Sequence, residues 1–446
     1  MLKIHDPADD SLVGTMPVTA ADALGSVLGS AKKAARRWAS TPAAERGAAV
    51  KDAARELRER VGELAGLIES ETGKPRAEAE ESVLAGVGTL EQYAELGPVH
   101  RGRSLLGDPG ATDLMVPEAR GVVVALTPWN DPVAVACGLL GAALVTGNTV
   151  VHKPSERCPH TGGLLGTVLS SLLPDGVLQT VQGDGEIGAA LAASRDVDLV
   201  AHVGSTAAGR SIASATAKTG AKALLENGGN DPLVVDAGVD PRWAAAQAAT
   251  GAFANSGQIC VAVERIYVHQ DIADAFLGAL AEEAGNRRLA PLVDRRHREG
   301  VHDQVVEAIA QGAEPLTGGE LPDGPGAFYP ATVLVGCTTG MRVFKEETFG
   351  PVAPVCVTPD FDQALELAAT DDYGLAATVL TASMEHAQRA WRELPVGTVK
   401  VNDVFGGAPG GSAHPRRASG SGYGYGPELL DEMTQTKVVH LAPPGP

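Results

Sequence analysis

From Gly121 onward, short β-branched runs alternate with longer stretches of Ala, Leu and Gly. This alternation restricts the fold more than any other feature of the chain. GVVVAL (121–126), NTVVHK (148–153), VLQTVQ (177–182), LVAHVG (199–204) and PLVVD (232–236) form a first series. Apolar runs separated by helix-length stretches imply βαβ units and a parallel sheet covered on both faces. A second series starts near Gly251, with RIYVH (265–269), ATVLVG (331–336), PVAPVCV (351–357), ATVLT (377–381) and GTVKVN (397–402). The expected class is therefore α/β with two such units. Before Gly121 the pattern is helical. Val50, Ala54, Leu57, Val61, Leu64 and Ile68 share one face of a predicted helix. Thr41 would cap it, Pro42 suits its first position, and Gly73 with Pro75 would stop it. Pro409 to Gly426 is too rich in Gly, Ser and Pro to predict regular structure. TKVVHLA (436–442) predicts a last, exposed strand available to another subunit.

Composition narrows the function classes. The 446 residues suggest two or three domains, and 44% hydrophobic with 20% charged residues is a globular mix. A net charge of −19 argues against nucleic acid and against an anionic membrane surface. Val133 to Val145 is too short to span a bilayer, and MLKIHDPADDSLVG lacks the apolar core of a signal peptide. The five cysteines form no C-x-x-C pair, so no metal site is expected. They read as reduced thiols of a cytoplasmic protein. Cys137, Cys337 and Cys356 fall in apolar patterns, and Cys158 in a polar loop.

Several strand-to-helix junctions carry chemistry-bearing residues. Gly183 to Gly188 is a literal G-x-G-x-x-G, but the acid expected about twenty residues on is absent, Ala208 standing there. Ser205 and Thr206 can cap a helix whose N–H groups would hold a phosphate, or can be an ordinary cap. Lys153 and Glu156 end a strand, where they would bind ribose hydroxyls or form a solvated turn. Cys260 follows the turn FANSGQ, a polar setting that suits a reactive thiol as well as a structural one. Glu226 ends an apolar strand, where burial would raise its pKa toward the range of a general base. Trp129 offers an apolar wall and Asn130 an N–H donor for a developing oxyanion.

PWN, KPSE, GSTxxG, ExGG, GQxC and EETFGP occur in this order. Together they resemble the NAD(P)-dependent aldehyde dehydrogenase superfamily, from ETGKP at 71–75 to SGSG at 419–422 and the last strand. The resemblance implies an aldehyde-dehydrogenase-like α/β fold in three parts. Residues 1–102 and 120–225 would bind the dinucleotide in a Rossmann-type domain, 226–427 would be the catalytic domain, and 103–119 with 428–446 a small β oligomerisation element. It implies a homodimer or homotetramer, a small-molecule aldehyde as substrate, and NAD, with NADP possible, as cofactor. Cys260 would be the nucleophile and form a thiohemiacetal, then a thioester after hydride passes to the nicotinamide. Asn130 and the Cys260 N–H would stabilise the oxyanion, and Glu226 would activate the hydrolytic water. Lys153 and Glu156 would bind adenosine ribose, Ser205 pyrophosphate and Glu347 the nicotinamide ribose. Phe349 and Trp129 would lie along the cofactor, Gly183 would border the adenosine pocket, and Phe405 would wall the acyl pocket. Glu156 would repel a 2′-phosphate, which leans toward NAD.

The chain departs from that pattern in three places. AGNRRLAPLVD (284–294) is short, PGGSAHPRRA (409–418) replaces F-G-G-x-K, and E-N-G-G replaces E-L-G-G. Arg416 and Arg417 would attract a substrate carboxylate or phosphate, or simply be solvated. Two other readings stand beside aldehyde oxidation. In a CoA-acylating enzyme CoA would take the acyl group, and a glutamate at 226 speaks against it. A non-catalytic binding protein on the same fold would usually have lost the cysteine.

Overall fold

The strand Val122–Leu126 is buried at all five positions because both its faces are covered. Val123 and Ala125 pack with Val83, Leu90, Tyr93 and Leu140 on one side. Val122, Val124 and Leu126 pack with Leu24, Leu28, Leu191 and Ile212 on the other. This period of two across one strand is what a doubly covered sheet demands. The computed structural model describes residues 1–407 and 411–444.

Two sheets organise these residues. The first has six strands in the order Gly420–Ser421, Lys222–Glu226, Leu199–Val203, Val122–Leu126, Thr149–Lys153, Leu178–Thr180. Its pairings are parallel except that of Gly420–Ser421, which is antiparallel. The second has seven strands in the order Glu314–Thr317, Thr332–Val335, Val352–Thr358, Val263–His269, Asp231–Val235, Ala376–Leu380, Thr398–Val401. Only Glu314–Thr317 pairs antiparallel there. Here too the faces alternate, with Leu233 and Val235 in one core and Val234 in another. A separate three-stranded antiparallel sheet joins Thr434–Leu441, Thr112–Ala119 and Arg103–Leu105 in that order. No helix among the described residues is long and apolar enough to cross a membrane.

Several expectations are corrected. The helix expected after Thr41 is two helices, Ala43–Glu59 and Val61–Thr72, broken at Arg60. Thr41 belongs to the preceding helix, where its hydroxyl donates to the Arg37 carbonyl, and Pro42 holds the cap position instead. Gly73 does end the second helix, with φ of 76°. PLVVD, grouped with the first series, is an interior strand of the second sheet, because it pairs with Val263–His269 and Ala376–Leu380. Cys158 is fully buried at the start of the helix Pro159–Ser170, not in a polar loop. Within the tail expected to be irregular, Pro409 and Gly410 lie outside the described residues, but Gly420–Ser421 pairs with Glu226 and Leu225. The last strand pairs with Thr112–Ala119 of its own chain and leaves its other edge open. An N-terminal hairpin, Leu2–His5 with Leu12–Met16, carries no strong sequence signal and was not expected.

Candidate active site

Parallel strands deliver their C-terminal ends to one side of a sheet, and loops there build ligand sites. In the first sheet, Trp129 and Asn130 follow Val122–Leu126, Ser205 follows Leu199–Val203, and Glu226 closes Lys222–Glu226. All four line one cavity of about 760 Å³, and so do Cys260, Glu347 and Phe349 from the second unit.

The turn before Cys260 is tightly specified. Asn255, Ser256 and Gly257 have φ of 47°, 55° and 76°, three left-handed residues in succession. A side chain at Gly257 would lie 2.2 Å from the Gly350 carbonyl, so only glycine fits. The Gln258 N–H donates to the Asn255 carbonyl at 3.0 Å, and the Ser256 hydroxyl donates to the Ala290 carbonyl at 2.7 Å. The Val293 N–H donates to Gln258 Oε1 at 2.9 Å. The short segment 284–294 therefore braces the loop that carries the cysteine.

Cys260 Sγ lies 4.0 Å from Glu226 Oε1. Burial pushes the Glu226 carboxyl above its ordinary range. It also pushes the Cys260 thiol well up, and the carboxylates of Glu226, Asp231, Glu347 and Asp131 add to that. In the free protein the pair is thus a neutral thiol beside a carboxyl of raised pKa. Gly424 makes room for this carboxyl, since a Cβ there would sit 2.3 Å from Glu226 Oε2. Asn130 Nδ2 donates to the Gln258 carbonyl at 3.1 Å. That bond fixes the amide two residues from the cysteine and uses one of its two N–H groups, leaving one to give.

Aromatic rings line another part of the cavity. Trp129 meets Phe349 and His297 edge to face, with centroids 5.6 and 5.7 Å away, and the Arg157 guanidinium lies 5.2 Å from the Trp129 ring. Phe349 has φ of 52°, a left-handed conformation rare for an aromatic residue. It is held by Glu264, whose carboxylate accepts from the N–H groups of Thr348 (3.0 Å) and Phe349 (2.9 Å). Burial raises Glu264 to about 7. Glu347 accepts from the Gly229 N–H at 3.0 Å, and burial raises it as well, helped by the Glu264 charge. Ser205 caps the helix Thr206–Thr219 by accepting from Ala208 N–H at 3.3 Å.

These residues fit a dinucleotide. A fourteen-residue helix points its positive end at the cavity beside Ser205. Asn227 Oδ1, in the cavity wall, is buried without a hydrogen-bond partner among the described residues. A Cβ at Gly228 would collide with the Glu347 carboxylate, so that acid reaches the wall only over glycine.

Other expected residues lie outside this cavity lining. The Lys153 ammonium donates to the carbonyls of Pro154 and Gly183 at 2.8 and 2.7 Å, with Glu156 at 3.9 Å. Phe405 packs against the second sheet's core, with the Lys400 ammonium 5.5 Å from its ring centroid. Arg417 is tied to backbone carbonyls of Ala369 and Asp371. The sequence reading missed Gln258, Glu264, His297 and Arg157. None of the four stands out in the sequence; Glu264 sits beside Arg265 in the strand Val263–His269, where the two read as an ordinary charged pair.

Comparison with known proteins identifies the family. Residues 1–439 match the aldehyde dehydrogenase family. The chain is 32% identical to lactaldehyde dehydrogenase of Escherichia coli, over 99% of this chain and 95% of that one. It is also 32% identical to the NAD(+) benzaldehyde dehydrogenase of Pseudomonas putida, over 98% of this chain and 92% of that one. The crystal structure of betaine aldehyde dehydrogenase from Staphylococcus aureus in complex with NAD+ superimposes with a TM-score of 0.95 at 29% identity, covering 98% of this chain and 91% of that one. A family match over residues 1–439 and relatives 32% identical over nearly the whole chain leave one conclusion: the chain belongs to the aldehyde dehydrogenase family.

Proposed function

We propose that this protein oxidises an aldehyde to the carboxylic acid, with Cys260 as nucleophile, Glu226 as base and Asn130 as oxyanion donor. The observation that carries this is the 4.0 Å approach of Cys260 Sγ to Glu226 Oε1. Ionised Glu226 takes the thiol proton as sulfur bonds to the carbonyl carbon. The free N–H of Asn130 and the backbone N–H of Cys260 then hold the oxygen that gains charge. NAD(P), when bound, supplies the hydride acceptor that leaves the acyl group on Cys260 as a thioester. Glu226 gives that proton up to solvent, then draws one from water as the water oxygen bonds to the acyl carbon, and returns it to the sulfur as the carbon–sulfur bond breaks and the acid leaves.

Ser205 and the helix behind it would hold pyrophosphate, Glu347 the nicotinamide ribose, and Trp129 with Phe349 the ring. Lys153 and Glu156 would meet adenosine ribose beside Gly183, and the Glu156 charge favours NAD over NADP. Residues 1–102 and 120–225 would form the coenzyme domain and 226–427 the catalytic domain. The element 103–119 with 428–446 would join subunits, as the open edge and the exposed Val438 and Leu441 of its last strand support. Transfer of the acyl group to CoA instead of water is the competing chemistry, and an acid beside the sulfur favours water. The deciding experiment follows NADH formation over an aldehyde panel with the wild-type enzyme and Cys260→Ala. Undiminished turnover in the variant would overturn the mechanism.

A further inference from the structure

One face of the helix Arg295–Ala310 carries the segment 347–350 along it. His297, Val301 and Gln304 follow one another at helical spacing, so they share that face. Each of them touches the segment. Gln304 Nε2 donates to the Glu347 carbonyl at 3.2 Å, and Gln304 Oε1 accepts from the Thr348 hydroxyl at 3.1 Å. Val301 lies against Gly350, where an added Cβ would come within 2.6 Å of its Cγ2. His297 Nε2 donates to the Phe349 carbonyl at 2.7 Å. A carbonyl only accepts, so the imidazole carries a hydrogen on that nitrogen.

Phe349 is the left-handed residue of this segment, with φ of 52°. Such a conformation persists in an aromatic residue only where its surroundings over-determine it. Here both backbone polar groups of Phe349 are taken. Its N–H donates to Glu264 at 2.9 Å, and its carbonyl accepts from His297 alone among the described residues. His297 is itself anchored. Its backbone N–H donates to Asp294 Oδ1 at 2.7 Å, and the other oxygen of that carboxylate pairs with Arg157 at 2.9 Å. The imidazole meets Phe349 and Trp129 edge to face, with centroids 6.0 and 5.7 Å away. All three rings line the cavity, so a shift of the Phe349 backbone moves a ring that faces Trp129. A plain packing role would need the imidazole ring but not its N–H.

We propose that His297 is a positioning residue for the oxidation: by holding the Phe349 carbonyl it sets the Phe349 ring against Trp129 and the Glu347 carboxylate beside it, where the nicotinamide end of the cofactor would lie. The assignment rests on the aldehyde-oxidising reading, and the test separates the two. Two variants divide ring from donor. His297→Phe keeps an aromatic edge and loses the N–H, whereas His297→Gln loses the ring and keeps an N–H at similar reach. If His297→Phe does not fold, His297→Leu takes its place. Each is compared with wild type in single-turnover NADH formation, with enzyme in excess of aldehyde, and in NAD affinity by calorimetry. His297→Phe should form NADH about ten- to a hundred-fold more slowly, the effect of a small misplacement near reacting groups. It should bind NAD about three- to ten-fold more weakly, while His297→Gln recovers both to within about three-fold of wild type. A His297→Phe enzyme as fast and as tight as wild type overturns the assignment and leaves aldehyde oxidation standing. So does a His297→Gln enzyme no better than His297→Phe, because the ring and not the donor would then be the cause. No NADH from the wild type with any aldehyde of the panel overturns the underlying reading, and the assignment with it.

Discussion

Glu226 reaches Cys260 from the last residue of a strand, its Oε1 4.0 Å from Sγ, and burial raises the pKa of both groups. Two consequences can be measured. Glu226→Gln should lower kcat by roughly 10²- to 10⁴-fold, the usual worth of a positioned base. If the acid serves the hydrolytic step, intact-mass analysis should then find acylated enzyme. The wild-type rate should fall as pH drops through the Glu226 pKa, which burial sets above the ordinary 4.5. A flat profile down to that ordinary value would remove Glu226 as the base.

Gly424 should tolerate no side chain without a catalytic penalty. A Cβ would stand 2.3 Å from Glu226 Oε2, so Gly424→Ala must displace the carboxyl. A misplacement of about 1 Å near reacting groups costs on the order of 10²-fold. The loss should appear in kcat, while NAD affinity measured by calorimetry stays close to wild type.

Glu264 makes stability depend on pH. Its folded pKa, raised by burial from 4.5 to about 7, exceeds the unfolded one. The stabilisation of the protonated form is therefore full below the ordinary value and is lost as pH rises toward 7. The shift corresponds to on the order of 3 kcal/mol. Urea unfolding of Glu264→Gln should lack that pH-dependent component. The variant should also bind NAD more weakly, because one of the two N–H groups at Thr348 and Phe349 loses its acceptor.

The open edge of Thr434–Leu441 should matter to assembly. Val438 is 67% exposed there. If the edge meets a second copy, Val438→Lys should shift the sedimentation profile toward smaller species while leaving thermal unfolding little changed, because surface substitutions usually cost within about 0.5 kcal/mol. A wild-type protein that sediments as a monomer at micromolar concentration would rule this assembly out.

Much of this architecture was legible because its signals are local. Val122–Leu126 and Ile266–Val268 are apolar on consecutive positions, which only a doubly covered sheet explains. Cys260, Glu226 and Asn130 each stand at a strand end or glycine turn, where chemistry is usually placed. What could not be read depends on contacts distant in sequence. Asp231–Val235 resembles the strands before it, yet its partners lie at 263–269 and 376–380. Gln258 looks like turn filler until its carbonyl is seen to accept from Asn130. The break at Arg60 falls inside an unbroken helical periodicity, where neither Gly nor Pro marks it.

The raised pKa of Cys260 has a meaning beyond the reaction. Peroxides and electrophiles attack thiolates, and oxidation past the sulfenic acid is not readily reversed. A cysteine kept protonated by burial and by the carboxylates of Glu226, Asp231, Glu347 and Asp131 is a poor target while it waits. The environment that makes its ionisation difficult thus also acts as chemical shelter, sparing the resting enzyme between one aldehyde and the next.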